Sequence, residues 1–175
     1  MIYYRLLQKT DIQSYRQIWL ECLELFPDNF GTTYEEAYQA TKLKLENVIE
    51  TNNVDSFMFG AYFEGNLIGI CGFLRETRLK TKHRGEIVQM YLNPNFVGQG
   101  IGNKLLTHCI EKAFKNPEIE QIILTVVAEN AKAVYGYKKV GFESYGYLEN
   151  YFKSGNHYTS QEFMILTRQT YKKED

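Results

Sequence analysis

The stretch EIVQMYLNPNFVGQGIGNKLLTHCIEKAF, running from Glu86 to Phe114, decides the fold. Ile87, Val88, Met90, Tyr91 and Leu92 make an apolar run suited to a buried strand. Pro94 ends it, because proline has no N–H to give to a ladder. From Ile101 onward, Leu105, Leu106, Cys109, Ile110, Ala113 and Phe114 recur at helical spacing. Gly98, Gly100 and Gly102 therefore sit in a turn at a helix N-terminus, where unpaired N–H groups and the positive end of the helix dipole favour a phosphate or pyrophosphate. The stretch reads as strand, loop, helix.

The spacing of those glycines separates several readings. A dinucleotide fingerprint needs G-x-G-x-x-G, and after Gly98-Gln99-Gly100 the third glycine position holds Asn103. A Walker loop needs Lys and then Ser or Thr after its last glycine, and Gly102-Asn103-Lys104-Leu105 departs from that. A plain glycine turn linking strand to helix is another reading. Val97-Gly98-Gln99-Gly100-Ile101-Gly102, behind Leu92-Asn93-Pro94, resembles the acyl-CoA loop of the GNAT superfamily of N-acetyltransferases, approximately Q/R-x-x-G-x-G/A. Val97 stands in the usual Gln or Arg position.

A chain of 175 residues is expected to form one domain, 1–175, burying roughly two-thirds of its unfolded surface. Lys and Arg number 20 against 21 Asp and Glu. That balance argues against a nucleic acid or an anionic membrane as partner. The opening MIYYRLLQKTD has neither the apolar core nor the cleavage site of a signal peptide, and no apolar run reaches the ~18 residues of a membrane span. A cytoplasmic protein is expected. Cys22, Cys71 and Cys109 are odd in number and lack a C-x-x-C pair, which disfavours a disulfide framework or a metal site; they read as buried apolar residues.

Taken in order, Ile2 to Leu7 suits a first strand. Thr10-Asp11-Ile12-Gln13 has capping-box spacing for a helix with Ile12, Tyr15, Ile18, Trp19, Cys22 and Phe26 on its apolar face, closed by Pro27. Thr32 or Thr33, with Glu35 or Glu36, opens one further helix that ends at Asn52-Asn53. Phe57 to Phe63 and Leu67 to Leu74 are strands of a hairpin across Glu64-Gly65-Asn66. Arg75 to Gly85 is a polar connection. Ile119 to Val127 reads as a strand parallel to the one before the glycines, Ala131 to Val140 as a helix capped by Gly141, and Phe142 to Leu148 and Gln161 to Thr167 as final strands. The tail after about residue 168, Lys172 to Asp175 above all, is expected to fray.

Asn130 to Phe142, NAKAVYGYKKVGF, resembles the GNAT segment N-x-x-A-x-x-L-Y-x-x-x-G-F at Asn130, Ala133, Tyr137, Gly141 and Phe142, with Gly136 replacing Leu. Two partial motifs in the right order, one strand apart, are more specific than either. The resemblance implies an α/β (α+β) fold. Its central sheet is mixed and mostly antiparallel, with helices on both faces and a splay between the fourth and fifth strands, which end near Leu92 and Val127. It also implies acetyl-CoA as co-substrate, with the pyrophosphate on the loop Val97, Gly98, Gln99, Gly100, Ile101, Gly102 and Asn103. The pantetheine would lie along Met90, Tyr91 and Leu92, one of whose N–H groups would face the thioester oxygen. Asn130 and Ala133 would flank the cofactor arm, and Tyr137 would face the sulfur; Asn130 serves equally well as a helix cap. Phe26 to Glu36, FPDNFGTTYEE, resembles a subset of members with a Phe-Gly turn before the second helix.

An alkyl amine holds its proton at neutral pH, with a pKa of ~10.4. Acetyl transfer to it therefore needs a base, a donor to the oxyanion and an acid for the departing thiolate. Tyr137 is the candidate acid. Glu86 is the candidate base, directly or through a water, or else a surface carboxylate; His83 and His108 are less well placed, and water alone serves some family members. A covalent route through Cys109 is disfavoured, because its neighbour His108 points about 100° away on the helix. Phe30, Tyr34, Tyr38, Tyr145, Tyr147, Tyr151, Phe152 and Tyr158 either line an acceptor pocket, pack in the core, or join two copies as a homodimer. Glu143, Glu149 and Glu162 are candidate ammonium partners. The expected activity is acetyl transfer to a primary amine of a small molecule or peptide. A CoA-binding module without transfer activity is the alternative, and a NAD-binding unit a third.

Overall fold

The computed structural model describes residues 1–171. In order, its elements are β1 (Ile2–Leu6), α1 (Ile12–Leu25), α2 (Tyr34–Gln39), α3 (Glu46–Thr51), β2 (Phe57–Phe63), β3 (Asn66–Arg75), β4 (Arg84–Leu92), α4 (Ile101–Phe114), β5 (Gln121–Val127), α5 (Ala131–Val140), β6 (Glu143–Ser154) and β7 (His157–Thr167). The strands form one sheet in the order β1-β2-β3-β4-β5-β7-β6. Every neighbouring pair is antiparallel except β4 and β5, which run parallel through the α4 crossover.

Side chains alternate across a strand, and the alternation separates two cores. Phe57, Cys71, Phe73, Ile87, Ile122 and Leu124 pack with Leu105, Leu106, Cys109 and Ile110 of α4 and Val134 of α5. Their neighbours Met58, Ile70 and Tyr91 pack with Tyr15, Ile18, Trp19, Cys22 and Leu23 of α1, Ala37 of α2 and Ile49 of α3. Helices cover both faces, and all three cysteines are buried and unpaired. Among the described residues no helix is long and apolar enough to cross a membrane.

Local chemistry explains the boundaries. At the β2–β3 turn Glu64 and Gly65 have φ of 51° and 85°, as a two-residue hairpin turn of right-handed strands requires. The box before α1 is formed by Gln8 and Asp11, not at Thr10-Gln13, and Asp11 also accepts from Arg5 at 2.7 and 2.9 Å. The single helix expected up to Asn52 is two. Thr33 and Glu36 form the expected box at the start of α2, but Arg16 of α1 donates to the carbonyls of Ala40 and Thr41 and to buried Glu46 at 2.5 Å. Those carbonyls end α2, and Asn52, left-handed at φ 47°, ends α3. β6 and β7 extend to Ser154 and from His157, well beyond the expected Leu148 and Gln161. Past β7, the Arg168 guanidinium donates to the Asn116 and Ile119 carbonyls; Lys172 to Asp175 lie outside the described residues.

The feature that positions the site is where β4 and β5 part. They pair only at Arg84–Gln121, Gly85–Ile122 and Glu86–Ile123. Gly85 is buried at that root, and a Cβ there would stand 2.2 Å from the Phe73 ring and 3.0 Å from the Leu74 carbonyl oxygen. Gly85→Ala is expected to lower stability by roughly 1–3 kcal/mol through overpacking, measured as a reduced urea midpoint with unchanged slope; an unshifted midpoint would show that Phe73 moves aside freely.

Candidate active site

The separation of β4 from β5 opens a crevice of about 180 Å³. Glu86 to Met90 form one wall and Thr125 to Val127 the other, while Asn130, Ala133 and Tyr137 reach it from α5. Phe30, Gly31, Phe152 and Gln161 complete it. Of the residues singled out in the sequence, Glu86, Met90, Asn130, Ala133 and Tyr137 meet here. Tyr91 does not: its hydroxyl turns to the α1 side and donates to Glu21 at 2.6 Å, leaving only its backbone for the site. Leu92 and the glycine loop stand outside the crevice.

The loop is built as a row of free donors. Gly98 and Gly100 have φ of 87° and 75°, and a side chain at either would meet nothing within 4 Å. Gly100 caps α4, whose first backbone bond runs from Lys104 N–H to Gly100 O. The N–H groups of Gly98 to Asn103 therefore have no acceptor among the described residues. A Cβ on Gly102 would lie 3.7 Å from Met90 and 3.8 Å from Leu92, so the loop sits over the outer half of β4. Gly136 replaces the larger residue of the motif where α5 passes α4; its Cβ position is 3.6 Å from Asn103 Oδ1.

Within β4 the ladder to β3 jumps from Gly72–Val88 to Ile70–Tyr91, so Gln89 and Met90 oppose Cys71 alone. This is a bulge. Gln89 takes φ 49°, a conformation costly for a residue with a side chain. Its Oε1 accepts from the hydroxyl of Tyr15, a fully buried residue of α1, at 2.8 Å. The bulge thus takes Gln89 and Met90, both of which line the crevice, out of the regular ladder with β3.

Asn130 Oδ1 accepts from Ala133 N–H at 3.2 Å, which makes it a helix cap and leaves its amide N–H₂ to donate. Tyr137 is half-buried, edge-on to Phe142 at 5.9 Å, and its hydroxyl has no hydrogen-bond partner among the described residues. Burial, with Cys71 nearby, raises its pKa well above that of free tyrosine, so it carries its proton at neutral pH. Burial also raises the Glu86 carboxyl, with a smaller opposing effect from Lys44 and a reinforcing one from Glu76. Cys109 is fully buried, its Sγ 3.7 Å from the Cys71 carbonyl oxygen, and burial pushes its thiol up; a buried thiol in that state is a poor nucleophile. His108 stacks on Phe59 and meets the Tyr4 ring at a tilt.

A second cavity of about 590 Å³ lies between the end of α1, the loop into α2 and the tip of the β6–β7 hairpin. Phe30, Gly31 and Phe152 line both spaces. Of the eight aromatics, only Phe30, Tyr34 and Phe152 face this cavity; Tyr38, Tyr145, Tyr147, Tyr151 and Tyr158 are exposed, outside the core. Glu143 and Glu149 are exposed away from both spaces, and Glu162 is engaged by Ser144 and Lys138. Three residues escaped the sequence reading. Gln89 carries no local signature for a positive φ. Thr159 and Gln161 carry none either: their face of β7 mixes polar His157 and Thr167 with apolar Phe163 and Ile165.

A family model described as the acetyltransferase (GNAT) family matches residues 16–142. The spermidine N(1)-acetyltransferase of Thermoplasma acidophilum is 31% identical over 108 residues, 62% of this chain and 63% of that protein, so the chain spans under two-thirds of that relative. The crystal structure of a GNAT-family acetyltransferase from Streptococcus pneumoniae superposes with a TM-score of 0.80 at 20% identity, covering 95% of this chain and 99% of that one. A GNAT superfamily phosphinothricin acetyltransferase from Sinorhizobium meliloti, solved with acetyl-CoA, gives 0.78 at 20% identity over 95% and 88%.

A carboxyl whose folded pKa lies above its unfolded value binds more protons in the native state, so its contribution to stability is full below the unfolded pKa and lost as pH rises through the folded one. Glu86→Gln is therefore expected to raise the unfolding free energy at pH 7, with the gain vanishing toward pH 4, about the unfolded pKa of Glu. Denaturant titrations at the two pH values check this; a gain that persists at pH 4 would assign it to packing. Gly100→Val forces a branched side chain to φ 75°, and is expected to weaken CoA binding in calorimetry by about tenfold or more.

Proposed function

The chain belongs to the acetyltransferase (GNAT) family and is an acyltransferase, and from that premise we propose that it moves an acetyl group from acetyl-CoA to a primary amine of a small molecule or peptide by direct attack. The observation that carries this reading is that one strand edge serves two features. Met90 lines the crevice that holds Glu86, Asn130 and Tyr137, and also lies beneath the row of unpaired loop donors.

The residues present fit the co-substrate. The N–H groups of Gly98 to Asn103 suit its pyrophosphate, since anions bind at helix N-termini. The Asn130 amide donates to its arm, and an N–H of Met90, Tyr91 or Leu92 at the bulge meets the thioester oxygen. Acetyl-CoA supplies the acetyl group already activated. Glu86 takes a proton from the incoming ammonium, directly or through a water, and the freed lone pair attacks the thioester carbon to give a tetrahedral oxyanion, whose collapse keeps the new C–N bond and breaks the C–S bond. Tyr137 gives its proton to the departing sulfur. The acylated nitrogen loses its surplus proton to solvent, and the proton that Glu86 holds returns through solvent to the tyrosinate, so that both groups are restored and one proton is released overall. Tyr137 is held protonated by burial, and its place in the crevice with a hydroxyl unpaired among the described residues supports its role as acid; the named activity of the Thermoplasma relative supports a small amine as acceptor.

An acetyl-CoA turnover screen against polyamines, amino acids, aminoglycosides and peptide N-termini, read by thiol release, tests the reading. Thiol release above the uncatalysed rate with at least one amine is expected, whereas CoA binding with none would leave a binding module. Tyr137→Phe is expected to lower kcat by roughly a hundredfold with little change in CoA affinity; an unchanged kcat would remove it from the acid role.

A further inference from the structure

The 590 Å³ cavity carries an excess of negative charge. Glu24, Asp28 and Glu35 line it. Glu24 and Glu35 have no ion-pair partner among the described residues, and Asp28 lies 3.9 Å from His157 Nε2. The opposing cation, Lys153, is drawn over the Tyr158 ring at 5.5 Å. Phe30, Tyr34 and Phe152 supply apolar walls, and the cavity adjoins the crevice at Phe30, Gly31 and Phe152.

A second observation is independent of that charge. Thr159 lines the cavity and is 6% exposed, and its hydroxyl has no hydrogen-bond partner. Two residues further along β7, Gln161 lines the crevice, is 4% exposed, and leaves its amide oxygen Oε1 equally unpartnered. Residues i and i+2 of a strand share a face, so the two groups mark one track from the cavity into the crevice. An unpaired amide oxygen is satisfied only by a donor, and burying it without one costs free energy.

We propose that the acceptor is an aliphatic diamine or polyamine: its reacting nitrogen donates to Gln161 in the crevice, its chain passes Phe30, Gly31 and Phe152 along Thr159, and its second ammonium rests among Glu24, Asp28 and Glu35. This assignment rests on the acetyl-transfer reading of the crevice. Selectivity then comes from the carboxylates beyond the aromatic passage, and the β7 groups orient the nucleophile.

The test compares 1,4-diaminobutane with 1-aminopentane, a chain of equal length with a methyl in place of the second ammonium. Binding to the full chain with CoA present is measured by calorimetry, and turnover of acetyl-CoA by thiol release. The diamine is expected to bind about tenfold tighter, and the double variant Glu24→Gln/Glu35→Gln, both at exposed positions, is expected to erase that preference. Thr159→Val and Gln161→Leu remove unpaired polar atoms. They are expected to leave Tm unchanged or raised while weakening diamine binding and lowering kcat/KM severalfold. Equal binding of the two amines, a preference that survives in the double variant, or β7 variants that lower Tm without changing affinity would each overturn the proposal. A diamine preference that depends on Glu24 and Glu35, with no thiol release from any amine, would sustain the seat and overturn the transfer reading alone.

Discussion

The site depends on a limit to hydrogen bonding between β4 and β5. Three residue pairs hold the parallel strands together at their root, and beyond Glu86 and Ile123 they part. A parallel pair that separates leaves main-chain groups and side chains facing a gap inside an otherwise covered sheet. The α4 crossover puts its glycine-lined start above one lip of that gap, and α5 brings Tyr137 and Asn130 to the other. Without the parting, Glu86, Met90 and Tyr137 would have no common space. Gly85, packed against the Phe73 ring at the root, holds the last pair tightly, so the divergence begins at a defined residue.

Polar groups are treated differently inside and outside this gap. Away from it many are tied down: Arg16 takes two carbonyls and Glu46, and Arg75 bridges Asp55 and Glu118, although the Tyr62 hydroxyl and Arg84 Nε are buried without a hydrogen-bond partner among the described residues. Such pairing is the rule for buried polar groups. Around the crevice the rule lapses. Tyr137 keeps a free hydroxyl, the loop keeps free N–H groups, and Gln161 and Thr159 keep unpaired oxygens. These groups are concentrated where a bound molecule would satisfy them.

The strand–loop–helix unit was legible because its residues are punctuated by local physics. Pro94 cannot extend a ladder, Gly98 and Gly100 take positive φ, and the apolar residues of α4 keep a helical period. Gly141 in a left-handed cap and Asn130 as a cap were legible for the same reason. The break between α2 and α3 was not, since it is made by Arg16 acting across about two dozen residues, and nothing near Ala40 announces it. The long β6–β7 hairpin was hidden by its exposed tyrosines, which carry no burial period. At the site, the groups from β4 and α5 were marked by the resemblance of two motifs to a known family, whereas the contribution of β7 followed only from tertiary placement. Thr159 and Gln161 look like ordinary strand polar residues until the sheet shows which way they face.

The bond between Tyr15 and Gln89 links events that the sheet alone would keep apart. Gln89 holds its left-handed backbone at the edge of the crevice while accepting from a hydroxyl that belongs to α1. If α1 lifts, the bond goes with it, and the bulge loses the contact that offsets its unfavourable dihedral. The N-terminal helix therefore acts as a clasp. The shape of the crevice edge survives only as long as α1 stays docked, and subglobal opening of that helix would disorder the β4 bulge while the strand ladders around it remain intact.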